Sequence, residues 1–193
     1  MSAEMQARLF LEARSQNRWL PRPVPDSLLR ELYELMKWGP TSMNSSPLRV
    51  LFLRSEEARQ RLLPAMAAPN VDKVRTAPVL AIVAYDTCFY ERMPYLFPHR
   101  PEAGDLFRRN VKLSQDTAFR NSSLQGAYLM VAARLLGLDC GPLSGFDEQR
   151  VNDTFFADSS LRVNFLCGLG YGDPDGLFPR HPRLPFEEAC QLL

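Results

Sequence analysis

The sequence predicts an α+β protein in which a central sheet is flanked by helices. Three observations carry that expectation. Strand-like apolar runs alternate with helical periodicities along the chain. One run, Pro78 to Tyr85, is apolar at nearly every position. The longest helical pattern, residues 114–136, is apolar on every side. There is no internal repeat and no low-complexity tract, and 193 residues with a mass of 22.0 kDa suit a single domain spanning residues 1–193.

Taken in order, Asp26 follows Pro25 as a candidate N-cap, and Leu28, Leu32, Leu35 and Met36 recur at helical spacing until Gly39. Arg49 to Leu53 reads as a strand, rich in branched and aromatic residues. Ser55 with Glu56 and Glu57 opens a helix, because acidic groups favour the first turn. The Pro78 to Tyr85 run is the pattern of a strand buried on both faces. Residues 86–110 mix Phe89, Tyr90, Tyr95 and Phe97 with prolines and arginines without a period, and read either as a lid or as an irregular cover for the core. In 114–136, Leu124, Ala127, Tyr128, Val131 and Leu135 lie on one face while Leu129, Met130, Ala132, Ala133 and Leu136 fill the others. Such a helix is central and buried, or shared with a second subunit. Gly137 closes it, Asp147 caps a short helix to about Phe156, and Arg162 to Leu169 is a further strand before Gly170-Tyr171-Gly172.

Net charge is +1 and the basic residues are scattered, which argues against nucleic acid or an anionic membrane as a partner. The opening Met1-Ser2-Ala3-Glu4 has no signal-peptide pattern and no apolar run is long enough to span a bilayer, so a soluble cytoplasmic protein is expected. Cys88, Cys140, Cys167 and Cys190 are far apart, and His99 and His181 are the only histidines. Neither a metal site nor a Ser-His-Asp triad is expected. The glycines form neither a dinucleotide fingerprint nor a P-loop.

Four separated pieces carry the residue types of a polar-ligand site. Trp38-Gly39-Pro40-Thr41-Ser42-Met43-Asn44-Ser45-Ser46-Pro47 is a hydroxyl- and amide-rich connection between a helix and a strand, either a Ser-rich turn or a loop that grips a ligand. Arg14-Ser15-Gln16-Asn17-Arg18-Trp19 pairs arginines with a hydroxyl, which suits a phosphate. Gly141-Pro142-Leu143-Ser144-Gly145-Phe146 is a glycine-flanked turn whose backbone N–H groups can approach a flat ligand. Arg180-His181-Pro182-Arg183-Leu184-Pro185 is a basic cluster near the end.

Together these pieces resemble the nitroreductase family of flavoproteins and, within it, the reductases that act on malonic semialdehyde. The resemblance covers essentially the whole chain. Its most specific parts are Lys37-Trp38-Gly39-Pro40-Thr41-Ser42, Leu96-Phe97-Pro98-His99, Thr117-Ala118-Phe119-Arg120-Asn121-Ser122-Ser123, Gly168-Leu169-Gly170-Tyr171-Gly172-Asp173 and Pro185-Phe186-Glu187-Glu188-Ala189-Cys190. It implies a central mixed sheet, an intertwined homodimer, and FMN at the subunit interface with NADH or NADPH as reductant.

Residue by residue, Arg14 and Ser15 match the phosphate motif, joined by Arg183. Thr41, Ser42 and Asn44 match the loop supplied by the second subunit. Lys73 stands at the pyrimidine edge of the flavin. Pro142, Leu143, Ser144 and Gly145 match the turn over the ring, with the Ser144 N–H facing N5. A cation such as Lys73 would stabilise the negative charge of the reduced ring. Asn17, which matches a flavin-site position, stands where many relatives carry a basic residue, Ser46 where many carry Gln, and His181 replaces a basic partner. These departures remove positive charge and leave Arg18 or Arg180 to compensate.

The implied activity is flavin-mediated reduction of malonic semialdehyde to 3-hydroxypropanoate, with Arg92, Arg100, Arg108 or Arg109 as candidates for its carboxylate. A broad nitro- or quinone reductase and a non-catalytic flavin-binding protein are the two alternatives.

Overall fold

The computed structural model describes residues 2–193. Four strands form one sheet: β1 (Leu48–Leu53), β2 (Val79–Asp86), β3 (Asp139–Leu143) and β4 (Leu161–Gly170). Their spatial order is β1-β2-β4-β3, and each neighbouring pair is antiparallel. The mixed character expected of the sheet is confined to one isolated parallel bridge, between Ser15 and Cys140 on the outer edge of β3. The helices are α1 (Ala3–Gln6), α2 (Asp26–Met36), α3 (Glu56–Leu62), α4 (Val71–Thr76), α5 (Met93–Leu96), α6 (Gly104–Arg108), α7 (Val111–Leu135), α8 (Glu148–Phe155) and α9 (Phe186–Ala189). None is long and apolar enough to cross a membrane.

The apolar run of β2 is explained by its central place. Val79, Ala81 and Val83 point into a core shared with Leu32 and Met36 of α2 and Leu129 and Ala133 of α7. Leu80, Ile82 and Ala84 point the other way, into a core with Leu62 of α3, Val74 of α4 and Val151 of α8. Each fully buried large side chain among these contributes about 1.5–3 kcal/mol, so the strand is held from both faces. Residues 86–110, expected as a lid or a cover, build a small core of their own. Phe89, Met93, Ala103 and Phe107 close on Ala118 at the N-terminal half of α7.

The helix ends follow local chemistry, with one correction. Ser55 Oγ accepts the Ala58 N–H at 3.1 Å, and Asp147 Oδ1 accepts the Arg150 N–H at 3.0 Å. Gly137 ends α7 at φ +87°, a left-handed conformation that glycine adopts without strain. Asp26, expected as an N-cap, is instead the first residue of α2. Pro25 occupies the cap position, and the Asp26 carboxylate pairs with Arg54.

β3 lies in the stretch 139–143, which reads from sequence as a turn because Gly141 and Pro142 interrupt it. Both residues are admissible because β3 is an edge strand, where proline costs no ladder bond. Gly141 has a further reason. A Cβ there would sit 2.6 Å from the backbone oxygen of Gln16, so only glycine lets segment 14–19 lie against the strand. Gly141→Ala is therefore expected to cost about 1–3 kcal/mol, read as a lower urea midpoint with an unchanged slope.

Candidate functional site

Five residues picked out from the sequence meet in one cavity. Arg14, Ser15, Asn17, Lys73 and Arg183 line a space of about 590 Å³, together with Leu9, Phe10, Arg134, Phe178, Arg180 and His181. The lining holds five permanent cations and no carboxylate. Among the described residues, none of Arg14, Lys73, Arg134, Arg180 and Arg183 forms an ion pair. Like charges gathered this closely repel one another unless an anion sits among them. The walls are strapped by the same groups. Arg14 donates to the Phe178 carbonyl, Arg180 to that of Ala13 at 3.1 Å, and Arg134 to that of Leu9 at 3.3 Å. The N-terminal segment and the C-terminal tail are thereby held face to face.

The residues offered as compensating for the lost charges separate here. Arg180 and His181 line the cavity, whereas Arg18 does not, because its guanidinium is paired with Asp173 at 3.0 Å. Arg134 was missed from the sequence. It falls in the last turn of a long apolar helix, where a basic residue reads as ordinary complementation of the helix dipole.

Segment 14–19 is laid along the sheet edge. The Gln16 N–H donates to the Cys140 carbonyl at 2.9 Å, and the Leu20 N–H to that of Tyr171 at 2.8 Å. Of the expected turn Pro142-Leu143-Ser144-Gly145, Pro142 and Leu143 are instead the last residues of β3, Ser144 and Gly145 follow directly, and none of the four lines the Arg14 cavity. The Gly145 carbonyl accepts from the Ala67 N–H at 3.0 Å and from the Asn70 side chain at 3.2 Å, just before α4, which carries Lys73. The turn, Lys73 and the Arg14 segment thus share one supporting frame. Ser144 is exposed, and among the described residues its N–H has no hydrogen-bond acceptor.

Thr41, Ser42 and Asn44 lie elsewhere. None lines the Arg14 cavity, and Asn44 lines a second space of about 610 Å³ with Lys37, Trp38, Ser46, Arg92 and Tyr95. Their loop is strained, with Met43, Asn44 and Ser46 at φ of 52°, 51° and 39°. Non-glycine residues in that region cost about 1–3 kcal/mol each and persist only where neighbours impose them. Here two buried amides one turn apart on α7 do so. Asn121 Oδ1 accepts the Ser42 N–H at 2.8 Å, and Gln125 Oε1 accepts the Leu48 N–H at 3.0 Å. A pair of amides spaced by four residues in an apolar helix is the sequence signal for this anchoring.

The four arginines offered for a substrate carboxylate are also told apart. Arg108 and Arg109 share Asp105, and Arg100 faces Glu102 at 3.6 Å. Arg92 has no carboxylate partner among the described residues, and it lies beside Asn44. Cys140 and Cys167 are buried on adjacent strands, and the Cys167 thiol is raised well above its ordinary pKa, first by the neighbouring Cys140 thiol and then by burial, while its own Sγ donates to the Gly168 carbonyl at 3.4 Å.

The chain belongs to the nitroreductase family, whose description matches residues 11–171. A protein of Cupriavidus pinatubonensis, provisionally named NADH dehydrogenase/NAD(P)H nitroreductase, is 59% identical over 191 residues, which cover 98% of this chain and 97% of the relative. The fold is shared with a provisional nitroreductase from Bacillus subtilis, at a TM-score of 0.89 and 21% identity over 100% of both chains. It is shared as well with one from Exiguobacterium sibiricum crystallised in complex with FMN. That structure has a TM-score of 0.82 and 21% identity over 100% of this chain and 98% of that one.

Proposed function

We propose that the chain is an FMN-dependent NAD(P)H oxidoreductase that works as a cytoplasmic, intertwined homodimer with flavin at the subunit interface. The observation that carries this reading is the carboxylate-free cavity in which Arg14, Ser15, Asn17, Lys73 and Arg183 meet. Its donor set fits a phosphate at one end and an electron-rich ring edge at the other, and its size is that of a small-molecule site. The name of the Cupriavidus relative and the FMN in the Exiguobacterium structure support the same choice.

On this reading Arg14, Ser15 and Arg183 hold the phosphate, and Asn17 and Lys73 face the ring. The turn Pro142, Leu143, Ser144 and Gly145 covers it, with the free Ser144 N–H directed at N5. Bound FMN supplies the electron chemistry, taking hydride from NADH or NADPH and passing it to an acceptor. The chain supplies position and charge. The Lys73 ammonium favours negative charge at the ring edge, and the Ser144 N–H sets which part of the ring is presented for hydride transfer.

The second subunit supplies Thr41, Ser42 and Asn44, which is why they stand apart from the Arg14 cavity within one chain. The α7 face carrying Leu124, Ala127, Tyr128 and Leu135 supports this. It is apolar yet exposed, at 49% for Leu124 and 45% for Tyr128. The tail beyond Arg183, exposed and carrying Leu184 and Phe186, is the segment that crosses to the partner.

The acceptor is malonic semialdehyde, reduced to 3-hydroxypropanoate, with the unpaired Arg92 beside Asn44 binding its carboxylate. A second reading, a broad nitro- or quinone reductase, is favoured by Trp38 and Tyr95. Both border the same space and are 79% and 84% exposed, as planar surfaces for a flat acceptor. Purified protein is expected to be yellow, or to retain added FMN through desalting, and to bleach on anaerobic mixing with NADPH. The ratio of kcat/KM values for the aldehyde, a quinone and a nitroarene then separates the two acceptors. Protein that takes up no FMN overturns the proposal, and flavin that binds without bleaching leaves a binding protein only.

A further inference from the structure

We propose that Trp19 is a positioning residue that locks Lys73 to the Arg14–Asn17 segment, so that the two ends of the cavity are spaced as one unit. The proposal rests on the reading of that cavity as an FMN site.

Trp19 is only 9% exposed, although it lies in an irregular stretch of chain. The sheet has been cleared to receive it. A Cβ on Gly141 of β3 would come 3.0 Å from its ring, one on Gly168 of β4 2.5 Å, and one on Gly170 3.2 Å. Gly172 continues the alternation, and a Cβ there would overlap the Gln16 side chain. The glycines 168, 170 and 172 recur at the strand period of two, so they open one face of the strand end as a seat for Trp19 and Gln16.

The indole has a second attachment. Its Nε1–H donates to the Lys73 carbonyl at 3.2 Å. That carbonyl lies in the last four residues of α4, where helical C=O groups have no partner along the helix. Trp19 therefore satisfies an end group of the helix that carries Lys73, while its own backbone continues the segment that carries Arg14, Ser15 and Asn17. Loss of the N–H donor alone leaves the seat filled and frees α4 to shift.

Four proteins test this: the native chain, Trp19→Phe, Lys73→Ala and the double variant. Each is titrated with FMN by quenching of flavin fluorescence at fixed salt, beside a melt of the apoprotein. Trp19→Phe keeps an aromatic ring toward the glycine seat but removes the donor and the outer part of the indole, and the melt records what the lost packing costs the fold; FMN should bind about five- to tenfold more weakly. Once Lys73 has lost its ammonium, the same change should cost nothing further. An equal penalty in both backgrounds, or no penalty in the native one, overturns the proposal, because Trp19 then acts on the fold at large or not at all. A native chain that binds no FMN is a different result and overturns the function on which the proposal rests.

Discussion

The paired change Arg14→Ala and Arg183→Ala should leave a folded protein whose FMN affinity has fallen by about two to four orders of magnitude. Hydrogen bonds to a charged group contribute about 1.5–3 kcal/mol each, and each 1.4 kcal/mol is tenfold in affinity. Both guanidiniums line the cavity without a carboxylate to satisfy, so their charge is available to a dianion. Arg14 has a second task, since its bond to the Phe178 carbonyl ties down the start of the tail. The single Arg14→Ala change should accordingly be the more damaging of the two. Arg183 donates only to the nearby His181 and Pro182 carbonyls, at 3.1 and 3.0 Å. Flavin fluorescence quenching, repeated at low and high salt, measures the loss. Exposed cations are screened by salt, so the native affinity should fall with ionic strength and that of the double variant should fall less steeply, since only Lys73, Arg134 and Arg180 remain in the lining. Native-like affinity in the double variant would place the phosphate elsewhere.

How much of this was legible in the sequence depended on whether a residue's partner is local. Ser55 and Asp147 cap helices through N–H groups three residues away, and both are readable from spacing alone. Asp26 looks equally good, but it was drawn off by Arg54, which is remote in sequence. β2 is legible because burial on both faces leaves a continuous apolar run. β3 is not, because an edge strand tolerates the glycine and proline that elsewhere mark a turn. The cavity residues are individually bland, and no periodicity links Arg14 to Lys73 or Arg183. Family resemblance named them, and the fold brings them together by folding the tail back across the N-terminal segment. Arg134 and the amides Asn121 and Gln125 escaped because their roles exist only once α7 has been placed against loops from other parts of the chain.

The largest effect expected from a single residue falls on that same helix. Leu124→Asp should turn a dimer into a monomer and remove FMN binding with it, although Leu124 lines no cavity that holds a flavin-site residue. In the single chain α7 buries Leu129, Ala132 and Ala133 against the sheet while Leu124, Tyr128 and Leu135 remain exposed. An aspartate at 124 would therefore cost the isolated subunit little, about 1 kcal/mol in helix propensity and half-buried packing, since Leu124 is 49% exposed there. In a dimer joined through this face it would bury an unpaired charge, a penalty of several kcal/mol. The consequence for the flavin follows from the divided site. In the proposed dimer Arg14, Lys73 and Arg183 come from one subunit and Thr41, Ser42 and Asn44 from the other, so separation would leave each half without its complement. Sedimentation and FMN titration on the same samples should lose the dimer and the flavin together, with the melting temperature of the apo monomer recording an intact fold. A variant that stays dimeric, or a monomer that holds FMN as tightly as the native protein, would show that the strained Thr41 loop serves its own chain instead of its partner.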